Sequence, residues 1–344
     1  MNISKIAELA GVSPATVSRY LNNGYVSEEK KQKIKKVIEE TGYIPLTSAQ
    51  TLRTKKNNLI GVIVPKINSE SISKMVQGIT LQLQNTKYNI LLANTDNSVD
   101  KELEFLSIFK NNTVDGVILI GTIFTKKHYK LIEDYSKPIV VLGQFEKRTS
   151  CVYYDDFGAS YGATEKLIKA NCKNIAYIGV TIKDKSAGKS RLDGFTSALN
   201  DNNLVINSKL MCECDFNSDS SYKTMNRLLD LNESFDGLFC ATDNIALGAM
   251  KSLQEHNIQI PKDVKIISIG DSKMSNLCTP TLSSAHLYYV TGGKEACNIL
   301  LENLESNKNI IKQYRLGYEI VDRQSTKWKK WDVIYLHLTF NLFG

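Results

Sequence analysis

The chain has 344 residues, of which 42% are hydrophobic and 23% charged, and a formal net charge of +7. That length suggests two or three domains of a globular protein, and the sequence offers neither an eighteen-residue apolar run nor a basic-then-apolar leader, so no membrane span and no secretory signal are expected. The charge is polarised: residues 1–58 hold ten Lys and Arg against five Asp and Glu, residues 59–326 hold thirty of each, and residues 327–344 hold three against one, which points to a polyanion engaged at the basic end.

The opening stretch, residues 4–22, reads SKIAELAGVSPATVSRYLN. Ser4 is placed to cap a first helix with Ile6, Leu9 and Ala10 on its buried face. Gly11 ends that helix, and Val12 points into a small core. Ser13-Pro14 restarts the chain as a capping hydroxyl followed by Pro at the first helical position, where its missing N–H costs nothing. A second helix is predicted from Pro14 to Leu21, with Val17 and Leu21 inward and Ala15, Thr16, Ser18 and Arg19 outward. Small side chains let the backbone approach a major groove. Thr offers a methyl and a hydroxyl there, and Arg can bond guanine or phosphate. The predicted unit is a helix-turn-helix; the plain alternative is a helical hairpin that binds nothing. Ser27-Glu28-Glu29 opens a third helix with a cap and two acids, buries Ile34, Val37 and Ile38, and ends at Gly42. Lys30, Lys31, Lys33, Lys35 and Lys36 cover its remaining surface, some of them facing phosphate.

The run Ala7 to Asn22, AxxAGVSxxTVSRxLN, resembles the headpiece of the lactose/galactose repressor family, and the likeness extends to about residue 325. The resemblance implies a headpiece over residues 1–45 and a linker with a hinge helix over 46–58. In the family, two copies of that helix pair in a dimer and push a leucine into a central base step of the minor groove. Ala49-Gln50-Thr51-Leu52 resembles it, with Leu52 as the wedge; Lys55 and Lys56 suit flanking phosphates. The expected DNA-facing set is Ser4, Ser13, Pro14, Ala15, Thr16, Ser18, Arg19, Asn22, Tyr43, Ala49, Leu52, Arg53 and Lys55.

From residue 59 apolar runs of strand length alternate with helix-length segments: LIGVIV, YNILLA, GVILIG, IVVLG, CVYY, NIAYIG, GLFCAT and KIISIG. Continuous apolar strands with intervening helices imply parallel sheets covered on both faces. Val114-Asp115-Gly116-Val117 and Phe235-Asp236-Gly237-Leu238 are echoes about 120 residues apart. Two similar subdomains are expected within 59–323, one from 59–160 plus 290–323 and one from 161–289. This is similar to the periplasmic sugar-binding proteins. The fold class is therefore a small all-α helix-turn-helix headpiece plus an α/β core of two similar parallel-sheet subdomains. A helix over 288–305 should pack on the first subdomain, followed by a strand near 313–320. Residues 324–344 extend beyond the family's usual end and have no assigned role.

Ligands of open α/β sheets bind outside the carboxyl ends of strands. Topology alone nominates Lys66, Asn68, Asn94, Gln144, Asp155, Asp156, the loop 181–191, Phe216, Thr242, Asp243 and Asp271. The family resemblance implies that Arg191 bridges a ligand's hydroxyls or phosphate and that Phe216 stacks on a sugar. Asp243 either bonds a hydroxyl or caps the next helix. The expected effector set is Lys66, Asn68, Gln144, Asp156, Lys189, Arg191, Phe216, Thr242, Asp243 and Asp271. The chain looks closest to trehalose-operon repressors, and Lys66, Lys189 and Arg191 could hold a sugar phosphate such as trehalose 6-phosphate; an unphosphorylated disaccharide is the rival.

Four histidines stand apart from any nucleophile, and no phosphate-binding loop or nucleophile elbow occurs, so no enzyme is expected. Seven cysteines, an odd number without a CxxC pair, suggest reduced cytoplasmic thiols. No cofactor and no metal are expected. The function implied is a cytoplasmic, sequence-specific repressor of a carbohydrate-utilisation operon. It would be a homodimer on near-palindromic double-stranded DNA, tuned by a sugar or sugar phosphate and independent of membranes. The alternative is a catabolite-control-type regulator set by a phosphorylated carrier protein.

Overall fold

The computed structural model describes residues 1–22, 24–43, 57–306 and 310–327. Ala49, Leu52, Arg53 and Lys55, expected in a hinge helix, and the extension beyond residue 327 lie outside the described residues. The chain divides into two compact units, residues 1–57 and 58–344.

The first unit holds α1 (Ile3–Leu9), α2 (Pro14–Leu21) and α3 (Glu28–Thr41). Asn2, not Ser4, caps α1: its side chain accepts from the Lys5 N–H at 2.9 Å. The helix thus starts one residue before Ser4, and Ser4 is an exposed residue of its first turn. The buried face also differs: Ile6, Ala7 and Ala10 are buried, while Leu9 is 51% exposed. Ser13 caps α2 through the Thr16 N–H at 3.2 Å, with Pro14 at its first position. Gly11 and Gly42 both sit at positive φ, 64° and 60°, where a side chain would be strained. Ser27 precedes α3 but makes no side-chain capping bond. Ile6, Ala7, Ala10, Val17, Ile34 and Tyr43 form the core of this unit.

The second unit contains two six-stranded sheets, with helices between most successive strands. In chain order the elements are β1 (Leu59–Val64), α4 (Glu70–Leu83), β2 (Asn89–Asn94), α5 (Val99–Ile108), β3 (Gly116–Ile120), α6 (Lys126–Glu133), β4 (Ile139–Leu142) and β5 (Ser150–Tyr154). There follow α7 (Asp156–Lys169), β6 (Ile175–Gly179), α8 (Arg191–Asp201), β7 (Met211–Glu213), α9 (Ser218–Asp230), β8 (Gly237–Cys240), α10 (Asp243–Glu255), β9 (Lys265–Ile269), α11 (Lys273–Leu277) and β10 (Ser283–Leu287). The last elements are α12 (Tyr289–Ser306), β11 (Gln313–Leu316) and β12 (Tyr318–Val321).

One sheet runs β11-β5-β4-β3-β1-β2 and the other β12-β10-β9-β8-β6-β7. Pairing is parallel throughout except between β10 and β12. The inner strands are buried along nearly their whole length, as continuous apolar runs require: β3, β4 and β6 show no exposed position. In both sheets the first strand lies between the second and the third, so the order reverses there. The two echo motifs occupy equivalent places. Asp115 accepts the N–H of Asn58 just before β1, at 2.7 Å. Asp236 accepts the N–H groups of Lys173 and Asn174 just before β6, at 2.8–2.9 Å. Each aspartate thus ties the start of the third strand to the start of the first.

Three expectations change. The strand near 313–320 is two strands, β11 on β5 in one sheet and β12 on β10 in the other. The first subdomain stops at residue 155 rather than 160, because all of α7 packs on the second sheet and α8. The expected run at 88–93 forms β2, but Leu91 and Leu92 are 36% and 45% exposed because β2 is an edge strand. The chain therefore passes between the subdomains three times, at 154–156, 287–289 and 316–318. As expected, α12 packs on the first subdomain, against α4.

Candidate functional site

The headpiece presents α2 as its polar face. Ser13, Pro14, Ala15 and Arg19 are exposed, and Thr16 and Ser18 are half-buried. The Thr16 hydroxyl pairs with Ser13 Oγ at 2.9 Å. Asn22 donates its amide to the Ser18 carbonyl at 2.6 Å, closing the end of the helix. Tyr43, expected on the DNA face, is 7% exposed and packs in the headpiece core. Four of the five lysines of α3 are engaged locally: Lys31 with Glu28 at 3.4 Å, Lys33 with Glu29 at 2.7 Å, and Lys35 and Lys36 with Glu39 and Glu40 at 3.9 Å. Such exposed pairs hold little energy and would yield to phosphate.

In the second unit a cleft opens where the carboxyl ends of both sheets face each other. It contains about 1040 Å³ of space, part of it open to solvent. Seven of the expected residues line it: Lys66, Gln144, Asp156, Arg191, Phe216, Thr242 and Asp243.

Arg191, the first residue of α8, is 5% exposed and Asp156, the first of α7, is 3% exposed. Arg191 Nε and Nη2 reach Asp156 Oδ1 at 2.8 and 2.7 Å, and Nη1 donates to the Ala241 carbonyl. Tyr289, the first residue of α12, also bonds Arg191. Burial pushes the Asp156 carboxyl above its ordinary value, and Arg191 opposes that shift. The floor of the cleft is thus a closed ionic cluster at three helix starts. Asp243 is 3% exposed, and its carboxylate takes Ser268 and Ser284 hydroxyls at 2.6 Å and the Ser272 N–H at 2.5 Å. It lines the cleft without capping α10; that role belongs to Thr242, which accepts from the Ile245 N–H at 3.3 Å.

Gln144 stands where β4 ends. Its amide nitrogen donates to the Thr122 carbonyl at 3.0 Å and to Asp184 Oδ1 at 2.9 Å. Burial raises the Asp184 carboxyl, while Gln144 and the Ala187 N–H pull it down. Lys66 reaches the Phe216 carbonyl at 3.2 Å and lies 5.5 Å from the centre of its ring. Burial holds the Lys66 ammonium below its ordinary value.

Three expected residues are not in the cleft wall. Asn68 is exposed beyond Lys66. Lys189 points to solvent and pairs with Asp193 one turn along the chain. Asp271 turns away to Arg323 Nη2 at 2.5 Å and His286 Nδ1 at 2.9 Å. It takes a left-handed φ of 49°, which redirects its side chain. Asp184 and Ser186 of the expected loop 181–191 also line the cleft, as do Glu70, Lys74 and Tyr289, which no sequence signal singles out. The strand-end rule would have found Tyr289, but the polar sequence of β10, SSAHL, hid that strand.

Among the described residues no helix is long and apolar enough to cross a membrane, and no group of His, Cys, Asp and Glu is arranged to hold a metal ion.

Residues 2–46 match the bacterial regulatory proteins of the lacI family, and residues 164–326 match the periplasmic binding protein-like domain. The HTH-type transcriptional regulator RegA of Clostridium saccharobutylicum is 31% identical over 328 residues, covering 94% of this chain and 99% of its own. The sucrose operon repressor of Staphylococcus xylosus is 29% identical over 304 residues, 88% of this chain and 94% of its own. The lac repressor dimer bound to operator and an anti-inducer superimposes with a TM-score of 0.86 at 21% identity, over 95% of this chain and 99% of that one. The headpiece, the paired parallel sheets and this full-length likeness have one reading: the chain belongs to the lacI family of bacterial regulatory proteins, DNA-binding transcriptional regulators and not enzymes.

Proposed function

We propose that this protein represses a carbohydrate-utilisation operon and that a neutral sugar, held in the cleft between the core subdomains, sets its affinity for operator DNA. The observation that carries the choice of ligand is the charge of the lining. Lys66, Lys74 and Arg191 face Glu70, Asp156, Asp184 and Asp243. Arg191 is committed to Asp156, and Lys74 to Glu70 at 2.9 Å. Lys189, one of three cations a phosphosugar reading needs, points outward. A phosphate brought into a lining that is already net negative would be repelled, whereas sugar hydroxyls suit a wall of carboxylates and amides. Similarity to a sucrose operon repressor supports the same class.

The protein acts as a homodimer on a near-palindromic site, because one short recognition helix reads too few base pairs. The exposed Leu91 and Leu92 on edge strand β2 provide apolar surface for a second copy. Ser13, Ala15, Thr16, Ser18 and Arg19 read the major groove, and Leu52 wedges the minor groove. All seven cysteines are free thiols, which supports a cytoplasmic location. The sugar shifts a population between two arrangements of the subdomains and must bind the low-affinity one better.

The test is thermal unfolding of the full chain against neutral sugars and sugar phosphates. A ligand at about a hundred times its dissociation constant adds roughly 2.7 kcal/mol. A shift with a neutral sugar supports the reading. A shift with trehalose 6-phosphate alone overturns the charge argument. If none shifts the protein, a phosphorylated carrier protein is the remaining regulator, tested by its effect on operator affinity. Leu52→Ala should weaken operator binding and leave any sugar shift unchanged.

A further inference from the structure

The two walls of the cleft are bonded directly to each other, by two separate groups of contacts. In one, Gln144 Nε2 of the first subdomain donates to Asp184 Oδ1 of the second at 2.9 Å. Ser186 Oγ reaches back to the Gly143 carbonyl at 2.9 Å and to Gln144 Oε1 at 3.2 Å. Lys185 Nζ lies 3.3 Å from the Tyr129 hydroxyl on α6. In the other, Lys66 crosses to the Phe216 carbonyl at 3.2 Å and Lys74 to the Asp271 carbonyl at 3.1 Å. The Lys273 N–H crosses in the opposite sense, to Glu70 Oε1 and Oε2 at 3.0 and 3.1 Å.

We propose that these contacts form a built-in latch: side chains of the two subdomains fasten the cleft shut by themselves, and a ligand competes with the latch for the same groups. Valence supports the competition. Both Gln144 hydrogens are used, by Thr122 and Asp184, and its oxygen takes Ser186. Asp184 Oδ1 already accepts from Gln144, Ser186 and Ala187. The ammonium of Lys66 stands 5.5 Å from the centre of the Phe216 ring, against which a sugar would stack. Under the sugar reading proposed above, on which this competition rests, binding has to move Lys66 and Gln144 from their present partners. The affinity the protein shows is then reduced by the fraction of molecules that are latched.

The latch itself is tested without a sugar, so its failure is distinct from failure of the sugar reading. The Lys273 amide reports closure directly, because its acceptor lies across the cleft. Hydrogen exchange is followed on the full chain, the Gln144→Ala variant and the Lys66→Met variant, with the amides of buried strand β8 as the reference for intact folding. If the two groups act as one latch, Gln144→Ala speeds exchange at Lys273, in the other group, by about tenfold. Lys66→Met then speeds exchange of the Gln144 side-chain amide, whose acceptor Asp184 lies across the cleft, in the same way. Faster exchange confined to the group that carries the substitution, or no change at all, overturns the proposal.

Discussion

Arg191 shows how burial changes what a residue can do. The family resemblance makes Arg191 a ligand fork, but here it bonds Asp156, the Ala241 carbonyl and Tyr289. Its first duty is to hold three helix starts together. Arg191→Met should lower stability by about 3–5 kcal/mol, because it strands the buried Asp156 carboxylate. The double variant with Asp156→Asn should lose less than the single one, and thermal melts of both check this. Asp271 offers a pH test. Burial raises its carboxyl, but Arg323 and His286 outweigh that and hold it below its ordinary value of 3.8. A carboxyl depressed in the folded state stabilises above the unfolded value and loses that contribution as the pH falls through the folded one. The penalty of Asp271→Asn, about 1 kcal/mol for a partly exposed cluster, should therefore be full above pH 5 and shrink below pH 3.8. Denaturant melts at several pH values measure it.

At the scale of elements, the local signals that survive are those with a single physical outcome. Pro14 behind a capping serine could only start a helix, and Gly11 and Gly42 sit at the positive φ their places require. The continuous apolar strands were legible because parallel sheets bury both faces. The polar strands were not: β10, with sequence SSAHL, is buried by tertiary contacts that no periodicity announces. Likewise nothing local marks Gly317 as the point where one extended run divides between two sheets. The strand-end rule located Lys66, Gln144, Asp156, Phe216, Thr242 and Asp243 in the cleft wall, yet it failed where a side chain had a nearer partner, as at Lys189 and Asp271. It also could not foresee that the loop after β6 folds back on itself. There a Cβ on Gly188 would stand 2.0 Å from the Thr181 carbonyl oxygen. Gly188→Ala must therefore displace backbone. We expect a loss of about 1–3 kcal/mol in thermal melts, and faster exchange of the Ser186 and Ala187 amides.

On the scale of the whole molecule, charge and symmetry set the terms of DNA binding. Residues 1–58 carry twice as many basic as acidic residues while the core is neutral, so operator affinity should fall steeply with salt and sugar affinity should not. In a homodimer each substitution acts twice. Arg19→Ala should cost about 1–3 kcal/mol per headpiece if the guanidinium reads a guanine, and it should narrow the gap between operator and random DNA. Equal weakening on both DNAs would make Arg19 a phosphate contact instead. Titrations on the two DNAs at several salt concentrations separate these outcomes.

The three passages between the subdomains have a mechanical consequence. Tyr154 lies beside Leu316 and Leu287 beside Tyr318 in the strand pairings, so the three connections run next to one another. Three adjacent straps resist shear and twist far more than bending, which leaves the core one soft degree of freedom. The ionic cluster at Asp156, Arg191 and Tyr289 sits at two of those straps. Ligands of different shape can then differ in how far they drive this single coordinate, but not in its direction, so the core transmits a magnitude rather than a description of what it has bound.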